Sequence, residues 1–480
     1  MTFNSQKNTE TLSPTLNGQA NFMANPFGDL AMLSAEEKQD WLRAYSPTNL
    51  RYIGALRGYV PEDQTEGYTY ALLNCGDGAS LIALAACNPE GVFFGFDADA
   101  GKLAEASDTA VASGVENVKF VQADEAALKD ALQSGALKPA FNYVVSNLIG
   151  MENEIGSTVT LASMLLAPGG MCYMAYPLTP GRIESQSAYV ASYKPGETNT
   201  DVAHAAALAA QMDYVGSAKA RNNYIEFSVH PDHQPKLIEV RDQPVFESLK
   251  DFAIGGRLRH DVWVKPGMAK SDNQTNLLQS FSFAVARPSA YIDPKFTYFG
   301  KKLDLTTPLF TRLLNTLAET SYSIGDLIAH PDFANAAPDE IVGGVQMLIA
   351  IGVVEPTRGS YRLIGGNFDQ PHFAGSYNQH LRDSAITEEG ALLAAPMIGR
   401  PVLGTAPMIM TLQAIDQGGL KGAEELLDKM LVGASDDVQK IINTDMSNVD
   451  ARRNTAYRLL EQVAKDWLLF CYVNGIMQPA

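Results

Sequence analysis

The stretch YALLNCGDGASLIALA, residues 70–85, decides the fold. Its first part, 70–75, is a short apolar run, and Gly76-Asp77-Gly78 cuts it off. An apolar segment of helical length follows over 79–86. A brief apolar run that stops at glycine and reopens as a helix reads as a buried strand feeding a helix. Glycines at the C-terminal edge of such a strand let a ligand come against the backbone. The helix behind them offers free N–H groups.

The same arrangement recurs downstream. VFFGFD (92–97), VKFVQAD (118–124), FNYVVSN (141–147) and GGMCYMAY (169–176) are further apolar runs, with helical segments between them. Buried runs alternating with helices mean βαβ units, so five strands of a doubly wound α/β sheet are expected before residue 180. Ligands of such sheets lie at the C-terminal strand ends, which singles out three acids. The second run closes at Asp97-Ala98, where a carboxylate can accept both hydroxyls of a ribose. The third closes at Asp124-Glu125, where an acid can accept from an adenine amino group. Asp77 stands in the loop itself. Each acid has a plainer reading: Asp77 and Asp124 can cap the helices that follow, and Asp97 can be a turn acid. A dinucleotide would ask for the full G-x-G-x-x-G and leave the third acid idle; it stays as the competing reading.

Glycine loop, Asp and Asp in this order resemble the class I S-adenosylmethionine-dependent methyltransferases. NCGDGASLIALA, FFGFD, VVSN and AYPLTPGR (175–182), together with FAIGGRLRHDVWVKPG (252–267), look more narrowly like bacterial methyltransferases with an attached regulatory region. Rickettsial-type protein-lysine methyltransferases belong to that group. The resemblance covers most of the chain after residue 30. It implies a Rossmann-like sheet, S-adenosylmethionine as cofactor and a protein side chain, lysine above all, as acceptor. It places Asn74, Cys75, Gly76, Asp77 and Gly78 beside the methionine end of the cofactor, Asp97 and Ala98 at the ribose, Asp124 and Glu125 at the adenine, and Asn147 and Tyr176 at the transfer site. The chain also departs from the family pattern. Leu72 stands where the family has Glu, Asn74 replaces the first glycine, Asn147 a His, Pro177 an Asn and Arg182 a Trp. Losing that Glu removes a charge-assisted contact, on the order of ten- to a hundredfold in affinity. These losses motivate a second reading, a catalytically impaired relative that keeps the fold as a protein-interaction scaffold. An adenosine slot beside Asp97 that is open separates the enzyme from the scaffold.

The chain has 480 residues and a formal charge of −18, which is two to four domains' worth and a poor partner for nucleic acid or anionic membrane. No apolar stretch reaches membrane-spanning length, and the N-terminus carries no leader pattern. Four cysteines, Cys75, Cys87, Cys172 and Cys471, show no metal-ligand spacing and read as buried thiols of a cytoplasmic protein. His230-Pro-Asp-His233 reads as a polar turn, and His204 as a surface or satisfied core residue.

The expected organisation is a flexible tail (1–25), the cofactor-binding domain (26–180), a middle region completing or flanking the sheet (181–300), a winged-helix-like block (301–366) and a helical C-terminal domain (367–480). A helix opening at a Ser34 capping box and another over 48–58 precede the sheet. In the middle region, 224–229, 260–265 and 280–286 read as strands. The winged-helix-like block has five Lys or Arg against seven Asp or Glu, so it lacks the basic footprint of a DNA reader. The last two blocks are expected to form an arm that orients a protein substrate and does no chemistry. Its final helix, 451–475, carries an apolar stripe including Tyr457, Val463, Leu468 and Cys471. That stripe must pack on the arm, on the first domain or on a second subunit, which puts a homodimer among the expected partners.

Overall fold

The computed structural model describes residues 33–61, 66–178, 190, 191, 193–298, 301–359 and 365–480. The run that opened the reading is β1 (Tyr68–Leu73), at the middle of a seven-stranded sheet. It pairs in parallel with β2 (Gly91–Asp97) on one side and β4 (Phe141–Asn147) on the other. Outside these lie β3 (Val118–Gln122) and β5 (Leu166–Pro177), also parallel. Strand order therefore reverses at β1, the switch point of a doubly wound sheet. Two more strands, β6 (Asp213–Ser217) and β7 (Leu258–Val264), complete the order β3-β2-β1-β4-β5-β7-β6, with β7 antiparallel to both its neighbours.

Alternation along β1 sends Tyr70 and Leu72 to one face and Ala71 and Leu73 to the other. The first face is covered by α1 (Ala35–Ala44), α2 (Pro47–Ala55), α3 (Ala79–Cys87) and α4 (Ala100–Ala112); the second by α5 (Glu125–Gln133), α6 (Ile155–Leu165) and the helix Asn199–Ala209. The Ser34 capping box forms as expected, with the Glu37 N–H donating to Ser34 Oγ.

The middle region needs one correction. Residues Ile225–Ser228 are helical, not a strand, because Ile225 and Val229 pack with Leu237, Val245 and Leu249 of the neighbouring helices. Tertiary packing overrides the β-propensity of that run. The third expected strand forms as β8 (Ser282–Val285), in a separate sheet. After the hairpin of β9 (Lys295–Tyr298) and β10 (Lys301–Asp304), β8 pairs antiparallel with β11 (Tyr322–Ser323) and β12 (Val354–Thr357). Helices Pro308–Glu319, Ile324–Ala329 and Pro338–Ala350 come in the order read from the sequence. Residues 360–364 of the expected winged-helix-like block lie outside the described residues, as do Arg182 and the 1–25 tail.

The last part of the chain is more mixed than a helical domain. β13 (Pro371–Phe373) pairs with β16 (Met477–Pro479), and β14 (Ala391–Ala395) with β15 (Arg400–Gly404). The final helix is broken: Val449–Gln462 passes through a π turn at Val463–Trp467 into Leu468–Val473. Its Val463, Leu468 and Cys471 are buried within the chain itself.

Nor does this part stand off as an arm. One apolar cluster runs from Leu33 to Met477. The β14–β15 turn is hydrogen-bonded into the first domain: Gly399 O accepts from Ser46 Oγ and Asn88 Nδ2 at 2.9 and 3.0 Å, and the Ala395 N–H donates to Cys87 Sγ at 3.2 Å. Beside it, the buried Glu355 carboxylate holds Arg400 at 2.6 Å and Arg43 of α1 at 3.3 Å.

Candidate active site

Strand register places the edge residues in one row. Asp97 is opposite Gln122, Asn147 opposite Ala175, and Ala175 opposite His260. Leu73 is opposite both Phe96 and Ser146, so Asn74, the next residue, falls on the same row.

The glycine loop is built around two positive-φ positions with different jobs. Gly78, at φ +70, is forced: a Cβ there would lie 2.5 Å from the Phe120 ring. Gly76, at φ +58, faces space, with nothing within 4 Å of where a Cβ would stand. Asn74 also has positive φ (56°) and is exposed, a conformation Asn tolerates better than most residues. The Gly76 N–H donates to Asp97 Oδ2 at 2.9 Å, while Asp97 Oδ1 accepts from the Asp99 N–H at 2.9 Å. An ionised carboxylate has about four lone-pair sites. Asp97, half-buried, keeps acceptor capacity toward solvent. Leu72 is buried in the core below the loop. Cys75 is buried, and its thiol is pushed up to about 12 by burial and by the Asp97 charge, so it stays a neutral packing group.

The remaining predicted residues divide. Asp77 Oδ1 accepts from the Ala79 N–H at 3.1 Å, and Asp124 Oδ1 from the Ala127 N–H at 2.8 Å, so both do the capping work of the plainer reading. Asp124 remains exposed at the edge, and so does Ala98. Glu125 is engaged elsewhere: its carboxylate meets Thr158 and Ser157 of α6 and Lys129. Asn147 is half-buried, with Oδ1 accepting from the Ile149 N–H at 3.3 Å. Tyr176 does not open onto the edge. It is fully buried on the opposite face, and its hydroxyl donates to Asp261 Oδ2 at 2.6 Å. The residue sits one place beyond the row residue Ala175, and period-two alternation turns it inward.

That hydroxyl leads to a charge cluster that strand reading missed. Arg259 Nε donates to both Asp261 oxygens at 2.7 Å, its Nη2 to Glu247 at 2.5 Å and to the Tyr214 hydroxyl at 2.9 Å, and its Nη1 to Asp251. His204 Nε2 lies 2.9 Å from Asp261 Oδ2. Burial pushes the Asp261 carboxyl up, but Arg259 and the His204 hydrogen bond outweigh it and hold it below the usual range. Glu247 is brought to about 2 against the same burial penalty by Lys250 and Arg259. Burial wins at Asp251, whose carboxyl is raised. A signal existed: Arg259-His260-Asp261 is a run of ionisable residues at the head of an apolar strand, and buried charges require partners.

Because β7 is antiparallel, its beginning, not its end, comes to the edge where β4 and β5 finish. There a polar cavity of about 250 Å³ opens, walled by Glu37 of α1, Lys219, Asn222, Arg257, His260 and Asp261 among others.

Residues 65–227 match the family model described as a methyltransferase domain, and residues 198–265 the one described as a predicted methyltransferase regulatory domain. With the switch-point edge, these matches give residues 65–265 the Rossmann-like fold of the class I, S-adenosylmethionine-dependent methyltransferases. The segment matched as regulatory supplies β6, β7 and the Arg259 cluster. Among solved structures, PKMT2 from Rickettsia typhi in complex with AdoHcy superposes with a TM-score of 0.63 at 14% identity, over 91% of this chain and 98% of that one. A second structure of PKMT2 from Rickettsia typhi gives 0.62 at 13% over the same shares. The uncharacterized protein sll1526 of Synechocystis sp. is 22% identical over 422 residues, covering 74% of this chain and 81% of that protein.

Proposed function

We propose that the chain methylates a side chain of a protein, with lysine the acceptor that the family resemblance implies. The observation that carries the reading is the open edge: apart from the adjoining residues of the chain, no protein atom stands within 4 Å of where a Gly76 Cβ would be, and Asn74, Ala98 and Asp124 face solvent. A scaffold that had lost its ligand has no need to keep that space clear. The donor set also fits S-adenosylmethionine. Residues 74–78 would run beside the methionine end, Asp97 would accept the ribose hydroxyls while bracing the Gly76 N–H, and Asp124 would accept from the adenine amino group through the oxygen its cap leaves over. When bound, the cofactor supplies an electrophilic methyl group. The protein's share is positioning, which can make up most of the rate of such a transfer. Asn147 borders the transfer position, fixed by its bond to Ile149. Tyr176 acts from inside, tying β5 to Asp261. An acceptor lysine must shed its proton, and entry into a partly desolvated site favours the neutral amine.

Calorimetric titration with S-adenosylhomocysteine tests this. Binding is expected, and Asp97→Ala should weaken it on the order of ten- to a hundredfold, since charge-assisted hydrogen bonds are lost. Absence of heat at high micromolar ligand would refute the enzyme reading. Undiminished affinity of the variant would show that Asp97 does not hold the ribose.

A further inference from the structure

Most of the charged groups around the β5–β7 cavity already have partners. Lys219 pairs with Asp40 at 2.9 Å, Lys250 with Glu247 at 2.7 Å, Arg259 with its three carboxylates, and Asp251 also with Thr200 at 2.7 Å. Glu37, on the same wall, has its carboxyl held below the usual range by the Ser34 N–H and, more weakly, by the charges of Arg257 and Lys219. Three further groups are not fully satisfied. Arg257 is exposed at the rim, and among the described residues it closes no ion pair. The His260 side chain, 2% exposed, leaves Nε2 without a partner, and Asn222 Oδ1 has none either.

The tautomer of His260 follows from its neighbour. The Tyr173 hydroxyl is fully buried and lies 2.7 Å from His260 Nδ1. A buried hydroxyl hydrogen needs an acceptor, and Nδ1 serves as one only if the ring proton sits on Nε2. Burial, with Lys219 nearby, brings the imidazole to about 3, so the ring is neutral. The unpartnered Nε2 is therefore an N–H donor. A guanidinium and a neutral N–H form a receptor for an oxyanion, and carboxylate is the commonest one on a protein surface; the Asn222 oxygen, an acceptor, adds nothing to it. On a chain of net charge −18, such a cationic rim is local rather than general.

Register supplies the location. His260 shares the edge row with Asn147, two strands away, which is about 10 Å at ordinary strand spacing. A peptide whose target side chain reaches Asn147 has a neighbouring residue at that span. We propose that the cavity holding Arg257 and His260 is a recognition subsite for a carboxylate side chain flanking the methylated residue. This rests on the function proposed above and adds to it an acidic acceptor segment.

The test uses the full chain and a fluorescein-labelled hexaglutamate peptide, followed by anisotropy, with hexalysine as the opposing probe. Hexaglutamate binding is expected. Arg257→Glu should weaken it about tenfold or more, Arg257→Lys should restore most of it, and the charge-matched Lys465→Glu, on the exposed surface of the final helix, should leave it within about twofold. Failure to bind hexaglutamate, preference for hexalysine, or indifference to Arg257→Glu would each overturn the subsite. S-adenosylhomocysteine titration of the same samples keeps the two claims apart. Lost cofactor binding refutes the methyltransferase reading, and lost peptide binding refutes the subsite.

Discussion

Replacing Arg259 by Met is the sharpest probe of how β7 is held in the sheet. The guanidinium faces Asp261, Asp251 and Glu247, and its side chain is 4% exposed. Met keeps the stem volume and removes the charge. Glu247 would still have Lys250, but Asp261 would be left with His204 and two hydroxyls, and Asp251 with Thr200. Removing one partner of a buried pair costs about 3–5 kcal/mol. In urea unfolding followed by circular dichroism, that corresponds to a midpoint lower by about 1–1.5 M. The deficit has a definite pH dependence. Asp261 and Glu247 have folded pKa values below their unfolded ones. Their contribution is therefore present above about pH 4 and lost as pH falls through the folded values. Asp251, raised by burial, runs the other way and trims the slope. Taking Arg259 away removes the favourable part, so the gap between variant and parent should be full at pH 7, hold to about pH 4–5, and narrow as pH falls below that toward the folded values. A deficit under about 1 kcal/mol at pH 7, or one that stays constant from pH 5 down to about pH 2, would refute the account.

The two loop glycines should separate folding from binding. Gly78→Ala meets the Phe120 ring and should destabilise by about 2–4 kcal/mol, from strained φ plus overpacking. Gly76→Ala meets no protein atom and should cost only about 1–2 kcal/mol in a thermal melt, yet weaken S-adenosylhomocysteine binding at least tenfold; equal effects on both measurements would argue that no ligand runs along Gly76. A chain ending near residue 295 would still contain every residue of the candidate cofactor edge. The hydrogen bonds from Gly399 and Ala395 to Ser46, Asn88 and Cys87 now predict that it will be insoluble or unfolded by size exclusion and circular dichroism. A soluble monomer that still binds would show the first domain to be self-sufficient.

What could be read in advance was local. The glycine loop, the strand runs and the acids at their ends all lie within short windows, so propensity and period sufficed for β1 to β5. Asp97 was found because its position relative to the loop is set by one helix and one strand. The other half of the edge comes from strands far along the chain. β7 enters antiparallel, so its edge residues are its first ones, where a search of strand C-termini does not look. Tyr176 shows the same limit at one-residue scale. Its strand was read correctly, but alternation against β7 decides which face it takes, and the partner strand was not known. Leu72 and the other departures look like losses in one dimension. In three, the loop they flank keeps its clear space.

The long-range closure at Gly399 also bears on how the chain is made. Cys87 and Ala395 are 308 positions apart, yet the second covers the first. At about 5–20 residues per second, a ribosome needs roughly 15–60 s to traverse that distance. Throughout that time α1 and α3 stand without β14 and β15, the strands that pack on them. The nascent protein is therefore a client for a holding chaperone, and its yield on overexpression should depend on chaperone supply and growth temperature more than on codon content near its start.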